Sequence, residues 1–339
     1  MTTAACAENI TPTPLFSKRA SAWFRGLAIL MVIVSHYAEW WAWFTPSQGN
    51  MELLRQAFTK LGEYGVAIFF LFSGYGLSKS IGSNRMNRNF IGKRIMSAYL
   101  PYLLVVGVIE LLSDGFDSRD DVWDYLSGHD YWFMAVLFSF YLAFIVIWAI
   151  TVNTHLRTFL FVLFTAVYSF LLFRNGKQGF WYVSNPAFPI GVMLAAYEGS
   201  LKKLIHHARI FLLPLCTVAM FTIAHAGLFP QILASLTDVQ KILSQIIAIF
   251  LWTVLIILTA SGWKTYDPVL RRLGKDSLYL YLTHTFLFMR CVNHFTCAFW
   301  ARFLISAVLT ITVSLLSSLL INALSAQILK KAAKRAEIS

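Results

Sequence analysis

The chain reads as an all-α integral membrane protein, a polytopic bundle of about ten transmembrane helices. Only 13% of its 339 residues are charged, against about one-quarter in an ordinary soluble domain. Hydrophobic residues make up 58%, and the mean hydropathy is +0.64. The net charge of +12 sits in short segments between apolar runs, where it acts as a topology signal and a contact for anionic lipids. Nucleic acid is therefore not an expected partner, whereas membrane lipids are.

The apolar runs fall near 24–44, 64–80, 95–112, 132–152, 157–173, 180–198, 210–228, 243–261, 277–297 and 300–324. Threaded in that order, 20 of the 28 basic residues collect on one side and 8 on the other. The positive-inside rule then places both termini in the cytoplasm. Residues 1–22 form a cytoplasmic segment, 23–325 the transmembrane domain and 326–339 a basic tail. No apolar core of signal-peptide length precedes the first span, so that span is retained. The connection 113–131 is then an external loop, rich in Asp and carrying Trp123, His129, Tyr131 and Trp132. It reads as a solvated interfacial loop or as a wall for a polar acceptor.

Soluble-enzyme signatures are absent, and the four cysteines show no metal-ligand spacing, so no metal is expected. Polar residues inside the spans carry the chemistry instead. Arg25 and His36 are eleven positions apart on the first span. That is about three helical turns, so the two share a face and stand about 16 Å apart along the axis. An imidazole at this depth is satisfied by a neighbouring helix or takes part in function. Glu39, one turn beyond His36, either holds its ring in one tautomer or faces the outer water. In the second span Ser73 and Gly74 either allow close helix packing or line a cavity. Arg94 opens the third span, either as a topology anchor or as a phosphate contact beside Arg25. Lys275 precedes the ninth span, in which Tyr281 and His284 share a face. Trp132 begins the fourth.

Together these stretches resemble the family 3 acyltransferases of bacterial membranes, many of which O-acetylate cell-surface polysaccharides. The family's Arg, ten residues, His pattern matches Arg25 and His36. Phe-Phe-x-x-Ser-Gly-aromatic matches Phe69, Phe70, Ser73, Gly74 and Tyr75. A basic stretch leading to Pro-x-Tyr matches Arg94 and Pro101, with Tyr102 in part, and a Trp-Phe pair matches Trp132 and Phe133. Leu-Gly-Lys-x-Ser-x-x-x-Tyr-Leu-x-His matches Leu273, Gly274, Lys275, Ser277, Tyr281, Leu282 and His284. The similarity runs in order over residues 23–284. Ala67 stands where the family often has Asp, and Ser97 where a second Arg is common.

The resemblance implies a multi-pass enzyme of the bacterial cytoplasmic membrane, with acetyl-CoA as acyl donor and a glycan or lipid-linked saccharide as acceptor. His36 and Arg25 are then the expected catalytic residues. Arg25, Arg94 and Lys275 are the expected donor-binding residues. Ser73, Gly74, Trp132, Tyr281 and His284 are expected to line or support the cavity. The rival reading is a proton-coupled transporter that uses the same histidines as a relay.

Overall fold

The computed structural model describes residues 14–44, 50–81, 88–113, 115–227, 236–264, 267–295 and 298–336. Among them the regular structure is helical throughout. Two long helices come first, α1 (Lys18–Phe44) and α2 (Asn50–Ile81). Next α3 (Arg88–Arg94), a π-helical turn (Ile95–Tyr99) and α4 (Leu100–Leu112) run on as one rod. A short helix, α5 (Arg119–Ser127), precedes α6 (Trp132–Ile150) and α7 (Thr154–Arg174). A 3₁₀ turn (Gly179–Trp181) leads into α8 (Ala187–Ala196), and α9 (Glu198–Gly227) follows. The remainder is α10 (Asp238–Gly262), α11 (Pro268–Lys275), α12 (Ser277–His294) and α13 (Phe299–Ala336).

Each of the ten expected spans coincides with a helix, but the count of crossing helices differs. Among the described residues seven are long and apolar enough to cross a membrane: α1, the α3–α4 rod, α6, α7, α9, α10 and α13. The sixth expected span is only the ten-residue α8. At 1.5 Å per residue it rises about 15 Å, half a hydrocarbon core. Interior helices tolerate polar and small residues, which lowers the hydropathy of α2 and α12. Helix α13 runs on to Ala336.

Small residues set the central contacts. A Cβ on Gly74 would lie 2.2 Å from the Phe188 carbonyl oxygen, and one on Gly191 would lie 2.2 Å from that of Leu71. Helices α2 and α8 therefore touch backbone to backbone, which places the short α8 inside the bundle. Phe70, Phe140, Phe161 and Phe188 fill the space around this crossing and are fully buried. At the foot of α1, a Cβ on Gly26 would meet the Leu270 carbonyl oxygen at 1.9 Å. One on Gly274 would meet that of Ala22 at 1.7 Å. The Arg25-Gly26 and Leu273-Gly274-Lys275 stretches, some 250 positions apart, are thus locked face to face.

The expected loop 113–131 contains a helix that turns back along α4. Tyr102 donates to the Tyr125 carbonyl (2.5 Å), Tyr125 to that of Leu103 (2.6 Å) and Tyr99 to that of Leu126 (3.1 Å). Tyr99 lies thirteen positions before Leu112, about 20 Å down the rod. The segment therefore folds back along the rod, while Asp117, Asp120 and Asp121 stay exposed. A capping box starts α5: Ser118 Oγ accepts from the Asp121 amide (3.1 Å), and the Asp121 carboxylate accepts from the Ser118 amide (2.8 Å). Gly128, at φ 79°, closes it in the left-handed region.

Candidate functional site

The helices bring the two embedded histidines together. His36 of α1 and His284 of α12 lie with ring centroids 5.1 Å apart, tilted by 48°. His284 is buried, at 1% exposure. Its Nδ1 is 2.7 Å from the Tyr281 carbonyl oxygen and 3.1 Å from that of Leu280. A carbonyl only accepts, so Nδ1 carries the proton and Nε2 presents its lone pair. The Thr285 hydroxyl lies 3.4 Å from that Nε2.

His36 is held differently. Its side chain keeps 31% exposure, and its ring stacks on Trp40 at 5.6 Å. Glu39 is 3.8 Å from His36 Nδ1, which is ion-pair range once the ring is protonated but beyond a hydrogen bond. Glu39 therefore does not fix the tautomer in the way expected from its spacing. The accessible imidazole and the locked one make an asymmetric pair. The first can meet a substrate hydroxyl, and the second can act only through its neighbour.

An aromatic track leads away from the pair. Tyr281 lies 5.9 Å from His284, Phe133 5.1 Å from Tyr281 and Trp132 6.2 Å from Phe133. Trp132 in turn meets Phe180 at 5.2 Å and Trp181 at 6.3 Å. The 3₁₀ turn carrying Phe180 and Trp181 was not marked by the sequence motifs. Its Gly-Phe-Trp composition was the available signal. Beside it His129, Asp124 and Asp130 bring possible ligand atoms within 4.8 Å of one another. Lys177 Nζ sits 3.1 Å from His129 Nε2, so a cation already occupies that side of the group.

The opposite end of α1 is basic. Arg25 Nε donates to the Ser21 carbonyl (3.3 Å). Arg25, Arg94 and Ser73 all act on the hydroxyl of Tyr141 in α6. Arg94 also donates to Ser80 (3.0 Å) and lies over Phe90. Among the described residues its buried Nε has no hydrogen-bond partner. A cavity of about 400 Å³ opens here between the π-helical turn and α6, lined by Arg94, Ile95, Tyr99, Phe138 and Tyr141 and reaching Leu126 of α5. The π-helical turn forms one wall of this cavity, and such turns recur at functional sites.

The expected residues thus fall into two groups. Arg25, Arg94 and Ser73 converge on Tyr141, while His36, His284, Tyr281 and Trp132 lie along the other end. Gly74 faces the backbone of α8, as described above. Lys275 is exposed on the last turn of α11, whose Gly274 packs against the foot of α1. The neighbouring Asp276, not singled out from sequence, is buried. It accepts from Ser318 (2.6 Å) and pairs with Arg272 (2.7 Å), tying α11 to α13. A second cavity, about 610 Å³ and apolar, lies between α7, α8 and α10 and touches none of these residues.

No curated protein and no solved structure matches the chain. The family model described as an acyltransferase domain matches residues 20–319, which takes in both histidines and the whole basic end. The chain belongs to that acyltransferase family.

Proposed function

We propose that this protein is a membrane-bound O-acyltransferase that moves acetyl from cytoplasmic acetyl-CoA to a hydroxyl of a cell-surface glycan or glycolipid. The observation that carries the reading is the pairing of an accessible imidazole, His36, with a buried one of fixed tautomer, His284, 5.1 Å apart. Arg25 and Arg94, with Lys275 beside them, bind the donor's phosphates at the basic end by charge-assisted hydrogen bonds. The pantetheine arm spans the roughly 16 Å of α1 between Arg25 and His36. His36 takes the proton of the acceptor hydroxyl as its oxygen attacks the thioester carbonyl. The new C–O bond forms, the C–S bond breaks, and the departing thiolate recovers the proton from the His36 imidazolium. His284 stands next to that imidazolium with a lone pair and no proton to repel it.

The basic asymmetry of the connections supports a bacterial cytoplasmic membrane location with both termini inside. The test is transfer of labelled acetyl from acetyl-CoA to oligosaccharide hydroxyls by purified protein in detergent, where no gradient exists. Transfer is the expected result. Its absence across neutral, amino and acidic glycans and their lipid-linked forms overturns the proposal, and proton-coupled export without transfer would support the rival reading.

A further inference from the structure

We infer that Trp132, Phe180 and Trp181 form a saccharide-binding platform at the aromatic end, and that its rim selects against acidic sugars. The inference rests on the acceptor being a glycan and adds where it is held and which charge it carries. Three half-buried aromatic rings, from α6 and from the 3₁₀ turn, meet with centroids 5.2 and 6.3 Å from Trp132. They present apolar faces at an accessible edge of the bundle, a lining that suits the C–H faces of pyranose rings. From Trp132 the contacts continue without a gap through Phe133, Tyr281 and His284 to His36. Phe133, Tyr281 and His284 are buried, so this packed row ties the platform to the histidine pair and is not itself the path of the sugar.

The rim supplies polarity. His129 lies tilted against Trp181 at 5.6 Å, and Asp124 lies 3.7 Å from His129. Asp130 completes the group. Burial, then the nearby Asp124 carboxylate, hold the Asp130 carboxyl above the usual range. Lys177, 3.1 Å from His129 and 4.7 Å over the Trp181 ring, brings one positive charge to this rim against the two carboxylates of Asp124 and Asp130. Carboxylates that already crowd one another accept sugar hydroxyls as donors and repel a sugar carboxylate. Specificity here comes from repulsion of the wrong ligand as much as from attraction of the right one.

The experiment measures binding of three probes to the full-length protein in detergent by calorimetry: a trimer of N-acetylglucosamine, a trimer of glucosamine and a trimer of galacturonic acid. The first two are expected to bind, and the third at least about tenfold more weakly, which is about 1.4 kcal/mol. Trp181→Ala should weaken the neutral trimer by about tenfold or more, and Trp181→Phe should restore most of that loss because a flat apolar face remains. Trp132→Ala should act in the same direction. Acetyl-CoA binding, measured on the same samples, should be unchanged, which also shows that the variants are folded. Equal or tighter binding of the galacturonate trimer overturns the charge selectivity. No saccharide binding, or wild-type binding by Trp181→Ala, overturns the platform. Transfer from acetyl-CoA on the same samples is a separate reading. If it fails while the neutral trimer binds, the catalytic proposal falls and the platform stands.

Discussion

The two ends of α1 solve opposite problems with the same helix. At the basic end a backbone-tight crossing, Gly26 against α11 and Gly274 against α1, fixes charged side chains beside a cavity. At the other end the close crossing is with α2, where a Cβ on Gly62 would lie 2.6 Å from Ser35 Oγ. His284 is held by its own helix's carbonyls, and His36 rests on Trp40. In the proposed function one end holds a fixed anion and the other handles a mobile proton. A cation contact depends on where its charge sits, while a base depends on which nitrogen is free and whether a substrate can reach it. The comparison predicts that damage at the two ends will separate cleanly into rate effects and donor-binding effects.

The largest effect should come from the aromatic end. His36→Ala should lower transfer by about a hundredfold to ten-thousandfold, the usual span of general-base assistance. Donor binding should stay near wild type, because the proposed phosphate contact at Arg25 lies about three turns away. His284→Gln should cost less than His36→Ala, because it removes a neighbour of the base and leaves the base in place. Turnover of labelled acetyl-CoA, with donor binding measured in parallel, decides both. If His284→Gln is the more damaging variant, the roles assigned to the accessible and the locked ring must be exchanged.

Next in size is the basic end. Arg25→Ala should raise the donor KM roughly ten- to a hundredfold, the value of a hydrogen bond to a charged group. Arg25→Lys should recover part of this, since an ammonium keeps the charge and loses the planar fork. A pure kcat effect with unchanged KM would erase the distinction between the ends.

Packing at the same end supplies the third test. In Gly274→Ala the new methyl would meet the Ala22 carbonyl oxygen at 1.7 Å, so α11 must shift off α1. Overpacking of this kind typically costs about 1–3 kcal/mol. The thermal midpoint in detergent should fall, and donor affinity should fall with it, because Lys275 moves with the helix. A stable variant with lowered rate and normal donor affinity would mean that the Gly274 contact serves the histidine end instead.

Much of this arrangement was legible in the chain. Helical periodicity put Arg25 and His36 on one face, and each apolar run became a helix. What could not be read was which distant faces meet. Nothing local in Tyr281-Leu-Thr-His284 says that its ring ends 5.1 Å from one 248 positions earlier. The fate of 113–131 was hidden for a different reason. Its acidic composition resembles a solvated loop, but Ser118 and Asp121 form a capping box that starts a helix, and three tyrosine hydroxyls then draw that helix back along α4. The same box commits the Asp121 carboxylate to the Ser118 amide, so Asp121 is poorly placed to serve as an acceptor contact. The shortness of α8 was masked by the apolar residues around it, although Pro186, Pro189 and Gly191 interrupt that run.

The smallest expected effect concerns Asp130, where the aromatic end trades stability for a polar rim. Burial first, then Asp124, raise its carboxyl pKa above the ordinary value, while His129 offsets part of the shift. The sign follows from linkage: an acid that ionises less readily in the folded protein than in the unfolded chain makes the folded state less stable once it is charged. That penalty is absent below the unfolded pKa, grows as pH rises toward the folded pKa, and stays constant above it. Asp130→Asn removes the charge, so it should raise the thermal midpoint slightly at neutral pH. The difference from wild type should shrink to nothing as pH falls below the usual aspartate range. Asp130 is an exposed residue, so solvent screening keeps the gain small. Melting curves of both proteins across that pH range decide the matter. A loss of stability at neutral pH would show that the carboxylate is a structural partner at the rim, and its crowding against Asp124 could no longer be counted as selection against acidic sugars.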